Sequence, residues 1–86
     1  MTKLEQKLIE LGYEIYLKEF NTVSKLAYKT INKYDIKLRL NKEITKIYAF
    51  GVVDECTELY INSQEQIDNL QQAFNIMQKD LEILKQ

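Results

Sequence analysis

Residues 61–86 read INSQEQIDNLQQAFNIMQKDLEILKQ, and the spacing of their apolar side chains decides the fold. Ile67, Leu70, Phe74, Met77, Leu81 and Leu84 recur at intervals of three and four, which places them on one stripe of a long helix. Ser63 opens it, because a serine followed three residues later by Gln66 makes a capping box that satisfies orphan backbone N–H groups. Glu65 and Asp68 near the start, with Lys79 and Lys85 near the end, meet the helix dipole with the favourable sign. The stripe is expected to be the core seam of the domain, since a coiled coil sustains at least about three or four heptads. Ile76 and Ile83 fall outside it and form a second apolar strip, which needs the N-terminal helix or another protein to cover it. They are the candidate self-association residues, and a homodimer through this helix is one expectation.

Upstream, Leu4, Leu8 and Leu11 predict a short helix over about residues 2 to 11, with Gly12 where a left-handed cap would sit. Tyr13, Ile15 and Leu17 then alternate with Glu14, Tyr16 and Lys18, the pattern of a half-buried strand that stops near Asn21. Residues 23–34, VSKLAYKTINKY, fit either helix or strand; their tyrosine and β-branched content and the strands on both sides favour strand. Ile36, Leu38 and Leu40 alternate with Lys37 and Arg39 in a further strand, and Asn41, Lys42 and Glu43 turn the chain into ITKIYAF. A four-residue loop sets Leu38 opposite Ile47 and Ile36 opposite Ala49, but also Arg39 opposite Lys46; a three-residue loop relieves that repulsion and mixes the faces. In either register Tyr48 and Phe50 lie opposite to Ile47 and Ala49, so the strand is covered on both sides or presents aromatics outward. Gly51 to Cys56 reads as a connection, and Leu59 and Ile61 as a last short strand. The expected architecture is α+β in one domain over residues 1–86: a short N-terminal helix, an antiparallel sheet of three to five strands, and a long C-terminal amphipathic helix packed on the sheet.

Composition narrows the function classes. The 86 residues are 45% hydrophobic and 29% charged, enough apolar material for a core, with no proline and only Gly12 and Gly51 to interrupt regular structure. The formal net charge of −1 gives no global field toward nucleic acid or membrane. Its distribution is uneven: residues 18–46 carry eight basic and three acidic side chains, residues 47–86 two basic and seven acidic. No apolar run approaches the roughly 18 residues of a membrane span, and MTKLEQK lacks the apolar core of a signal peptide, so a soluble protein of a reducing cytosol is expected.

Chemistry-bearing motifs are few. There is no histidine, and Cys56 is the only cysteine, which excludes an internal disulfide and a cysteine-based zinc site. Nucleotide-binding glycine motifs and the nucleophile elbow are missing, so neither an enzyme nor a cofactor is expected. Asp54, Glu55 and Glu58 form a candidate acidic face whose oxygens suit a hard cation, though the spacing matches no calcium loop and a solvated turn is the simpler reading. Cys56 follows two acids, which raise a thiol's pKa, so it is expected to be unreactive. Lys25, Lys29, Lys33, Lys37 and Arg39, interleaved with Tyr28 and Tyr34, make a candidate basic and aromatic face that would neutralise phosphates and stack bases. No nucleic-acid-binding fingerprint accompanies it, so nucleic acid ranks behind a solvated lysine face or an acidic protein partner. The uncharged Gln71, Gln72, Asn75 and Gln78 are either ordinary helix-surface residues or a partner face whose amides lower the desolvation cost of docking.

The stretch SQEQIDNLQQAFNIMQKDLEILK, together with LIELGYEIY at residues 8–16, resembles the small accessory proteins of phages and prophages in low-GC Gram-positive bacteria. The resemblance touches both ends of the chain and not the middle. It implies a short, non-enzymatic protein that binds host machinery, CRISPR-type defence nucleases among it, and inhibits by occupying a partner's surface. The acidic second half would then stand in for nucleic-acid phosphate.

Overall fold

A computed structural model describes residues 1–16, 24–54 and 63–86. Helix α1 (Lys3–Glu10) is followed by strands β1 (Glu14–Ile15), β2 (Ser24–Ile31), β3 (Tyr34–Asn41) and β4 (Ile47–Asp54), and then by helix α2 (Gln64–Leu84). The strands form one antiparallel sheet in the order β1-β2-β3-β4, and both helices pack against it as one layer. This is the architecture expected from the sequence. The expected strand end near Asn21, the strand around Leu59 and Ile61, and Cys56 lie outside the described residues.

Local chemistry sets the boundaries. Thr2 caps α1, its hydroxyl oxygen accepting from the Glu5 N–H at 3.1 Å. The helix ends in a Schellman motif: Gly12 N–H donates to Ile9 O at 3.0 Å, Tyr13 N–H donates to Leu8 O at 2.9 Å, and Gly12 takes φ 91°. Residues 24–31 form a strand, in which Ala27 is buried facing Leu38 across β2 and β3. Asn32 and Lys33 then reverse the chain in two residues, with Asn32 at φ 59°, a left-handed conformation that asparagine tolerates. On β3 the alternation is clean: Tyr34, Ile36, Leu38 and Leu40 are buried while Lys37 and Arg39 are exposed.

The β3–β4 connection departs from both expected registers. Leu40 pairs with Ile47, Arg39 with Ala49, Leu38 with Phe50 and Ile36 with Val52, and a bulge leaves Tyr48 without a partner of its own. The loop is longer than three or four residues because Asn41 holds it, its Oδ1 accepting from the Thr45 and Lys46 N–H groups at 2.8 and 2.9 Å. Arg39 therefore faces Ala49, and its repulsion with Lys46 never arises. The bulge also puts Ile47 and Phe50 on the same side of the sheet, where plain alternation would separate them. Gly51 to Asp54, read from sequence as a connection, continues β4.

Ser63 caps α2 as expected, its Oγ accepting from Gln66 N–H at 3.2 Å. The buried stripe is Ala73, Met77, Asp80, Leu81 and Leu84, whereas Ile67 and Phe74 of the expected seam are exposed. Ala73 and Asp80 sit at the centre of the contact, so the helix is rotated away from the axis its large apolar residues suggest. Leu8, Tyr13, Ala27, Ile36, Leu38 and Leu40 meet Met77, Leu81 and Leu84 in one core between the sheet and the two helices. The other face of the sheet carries exposed Thr30, Lys37, Arg39, Ala49 and Val53. Among the described residues no helix is long and apolar enough to cross a membrane.

Candidate binding surfaces

The basic row does not share a face. Across the two-residue turn each odd position of β2 pairs with an even position of β3, so Lys25 and Lys29 stand with Leu40 and Ile36 on the helix side. Lys37 and Arg39 stand with Tyr28 and Leu26 on the opposite side, and Lys33 lies in the turn. Spacing of four in an extended chain keeps lysines on one face only while the chain runs straight, and the turn at Asn32 and Lys33 inverts the parity.

Lys29 has a structural partner instead. Its Nζ lies 2.5 Å from Asp80 Oδ2, donates to Leu11 O at 3.0 Å, and sits 4.6 Å from the centre of the Tyr13 ring. Tyr13 donates its hydroxyl to the same Asp80 Oδ2 at 2.9 Å. Three elements are tied here: the end of α1, β2 and α2. Burial, and after it the hydrogen bond and charge of Asp80, holds the Tyr13 hydroxyl above its ordinary pKa, so it stays a donor. A mid-helix aspartate and a lysine four residues from another gave no sequence signal for this pairing, since it spans 51 residues of chain.

On the open face Tyr16 and Tyr28 stack with ring centres 5.0 Å apart. The Tyr28 hydroxyl donates to the Glu14 carboxylate, which pushes its pKa up to about 12, and Thr30 donates to Asp35 at 2.6 Å. Glu14 and Asp35 share this face with Lys37 and Arg39, so it carries both signs and no basic field.

Exposed apolar surface gathers elsewhere, along the seam where α2 crosses β4. Phe50, on the helix side of β4, is 58% exposed, and Tyr48 at the bulge is 65% exposed. Phe74 is 40% exposed and, with Val52 and Leu70, lines a shallow hollow on the same side of the sheet as Phe50. The spacing expectation puts Phe74 inside the core; the burial of Asp80 goes with a rotation of the helix that leaves Phe74 exposed. On the other flank Ile76 packs against the core while Ile83 is exposed, so the two do not form a free strip. Asp54 ends β4 in an exposed position opposite Tyr34, and Glu55 and Glu58 lie outside the described residues. Among the described residues, no three acidic, histidine or cysteine side chains converge on a metal position.

Sheet, helices and seam define an α+β protein covered on one face, with its buried side-chain polar atoms satisfied among the described residues. Comparison of the chain with models of protein families, with curated proteins and with solved structures finds no match.

Proposed function

We propose that the chain is a non-enzymatic accessory protein that docks on a second protein through the β4–α2 seam and modulates it by covering part of its surface. The observation that carries this reading is Phe50, more than half exposed on the same side of the sheet as the half-exposed Phe74. Water-exposed aromatics grouped on one edge are the composition of an interface centre, where a few large side chains supply most of the binding energy. The resemblance to phage and prophage accessory proteins supports a host protein as the target.

Affinity capture from bacterial lysate tests it, comparing the wild type with Phe50→Asp and Phe74→Asp variants of unchanged far-UV circular dichroism. The expected result is a captured protein lost from both variants, each weakened by roughly 2 kcal/mol or more. Capture that is equal in all three removes the seam as the docking surface.

A second reading, nucleic-acid binding on the open face, draws on the Tyr16–Tyr28 stack beside Lys37. It requires retention on heparin or single-stranded DNA at low salt, lost in Tyr28→Ala and Lys37→Glu. Elution in the flow-through ends it.

A further inference from the structure

Where the last turn of α2, the first turns of α1 and the β3–β4 loop come together, the surface folds into a cleft with a volume of about 500 Å³. Its apolar lining is Leu4, Ile47, Phe50, Leu81 and Leu84. Lys3, Lys7, Lys46 and Lys85 line it as well, and no aspartate or glutamate does. Four cations around one hollow are out of keeping with a chain of formal net charge −1.

Two of them have local work. The negative end of the α2 dipole opens here, Lys7 donates to the Gln86 carbonyl, and Lys85 follows the last helical residue, so these two offset the helix end. Lys3 and Lys46 are left over, with no carboxylate partner among the described residues. Both line the cleft, so an anion at its mouth would meet two ammonium groups without a carboxylate among the lining residues. Phe50 belongs both to this cleft and to the exposed apolar surface of the β4–α2 seam, which makes the cleft the end of the proposed docking seam.

We infer that the cleft receives an acidic segment of the partner protein, with one large apolar side chain seated against Phe50 and Leu84 and its flanking carboxylates on Lys3 and Lys46. This rests on the docking reading above and adds the chemistry of the partner. Charge supplies the direction of approach and the apolar floor supplies the anchor.

The test is a nuclear magnetic resonance titration of the isotope-labelled chain with three capped decapeptides: glutamates around one phenylalanine, the same peptide with lysines for glutamates, and the glutamate peptide with alanine for phenylalanine. The first is expected to shift backbone amides of residues 3–7, 45–50 and 81–86 and to bind about tenfold more tightly than either control. Its affinity falls about tenfold between low salt and about 0.5 M salt, and by a similar factor in a Lys3→Glu, Lys46→Glu variant with unchanged circular dichroism. Absence of shifts in those segments, or equal binding of the lysine peptide, overturns the inference. Shifts confined to Val52 and Phe74 overturn it while leaving the docking seam standing. Self-association of the wild type that Lys46→Glu abolishes would give the cleft to a second copy and overturn it also.

Discussion

Asp80 is the residue on which the interior balance turns, a carboxylate buried at the centre of an otherwise apolar helix stripe and shared by Lys29 and Tyr13. Removing one charge of a buried pair strands the other, so Asp80→Leu is expected to cost about 3 kcal/mol in urea unfolding. Replacing both partners, Lys29→Met with Asp80→Leu, is expected to return to within about 1 kcal/mol of wild type, because the desolvation penalty disappears with the pair. A double variant as unstable as the sum of the singles would show that the pair is a net source of stability. The same node sets the alkaline limit. Tyr13 has a higher pKa folded than unfolded, so its contribution is complete below the unfolded value of about 10 and is lost as pH rises beyond it. Stability measured from pH 7 upward should therefore hold to about pH 10 and then decline, and Tyr13→Phe should flatten that decline at a cost of about 1 kcal/mol from the lost hydrogen bond. Tyr28, held by the Glu14 carboxylate with a pKa of about 12, should appear as a late step in the ultraviolet titration.

At the scale of elements, the two flanks of α2 separate by experiment. Ile76 packs against the core and Ile83 does not, so Ile76→Glu should cost about 2 to 3 kcal/mol and Ile83→Glu within about 0.5 kcal/mol. Equal losses, or loss of a dimer by light scattering in Ile83→Glu, would restore the self-association strip. β4 offers a complementary change: a Cβ at Gly51 meets nothing within 4 Å, so Gly51→Thr should stabilise the strand by about 0.5 to 1 kcal/mol. These elements also show how far a sequence can be read. The caps at Ser63 and Gly12, the alternation of β3 and the helix-sheet-helix order were legible because each depends on residues within one turn or one strand. The β3–β4 register was not, since it hangs on the side chain of Asn41 folding back on its own loop, and one bulge then reassigns Phe50 to the helix side. The helix rotation was illegible for a different reason: Asp80 reads as a solvent residue until Lys29, far along the chain, comes to meet it. The candidate basic face dissolved with the turn at Asn32, whereas the exposed aromatics of β4 were visible as one of two options left open by the pattern.

For the whole molecule, covering one face of the sheet leaves a thin core that both helices must share. Leu8 is the only fully buried α1 residue among those described, and it joins Met77, Leu81 and Leu84 in the same cluster with Leu4 and Leu11 half-buried against it, so Leu8 is the centre of the short helix's apolar anchor. Thr2 adds a second tie, donating to the carbonyl of Ile44, whose own backbone sits at φ 55° with its side chain in the core. A β-branched residue in the left-handed region persists only where its surroundings hold it. Leu8→Ala removes the anchor and leaves a cavity between α1 and α2, an expected loss of about 2 to 4 kcal/mol out of a total that for a domain this small is about 5 to 10 kcal/mol. At roughly 4 to 8 °C per kcal/mol, the thermal midpoint should fall by at least about 10 °C. The shape of the transition carries the stronger test. If one core serves both helices, calorimetry of Leu8→Ala should show a single transition at lower temperature, with amides of β3 and of residues 77–84 losing hydrogen-exchange protection together. Protection lost only at residues 3–13, with β3 unchanged, would show α1 to be a separately melting appendage, and the sheet with α2 would then be the stable unit.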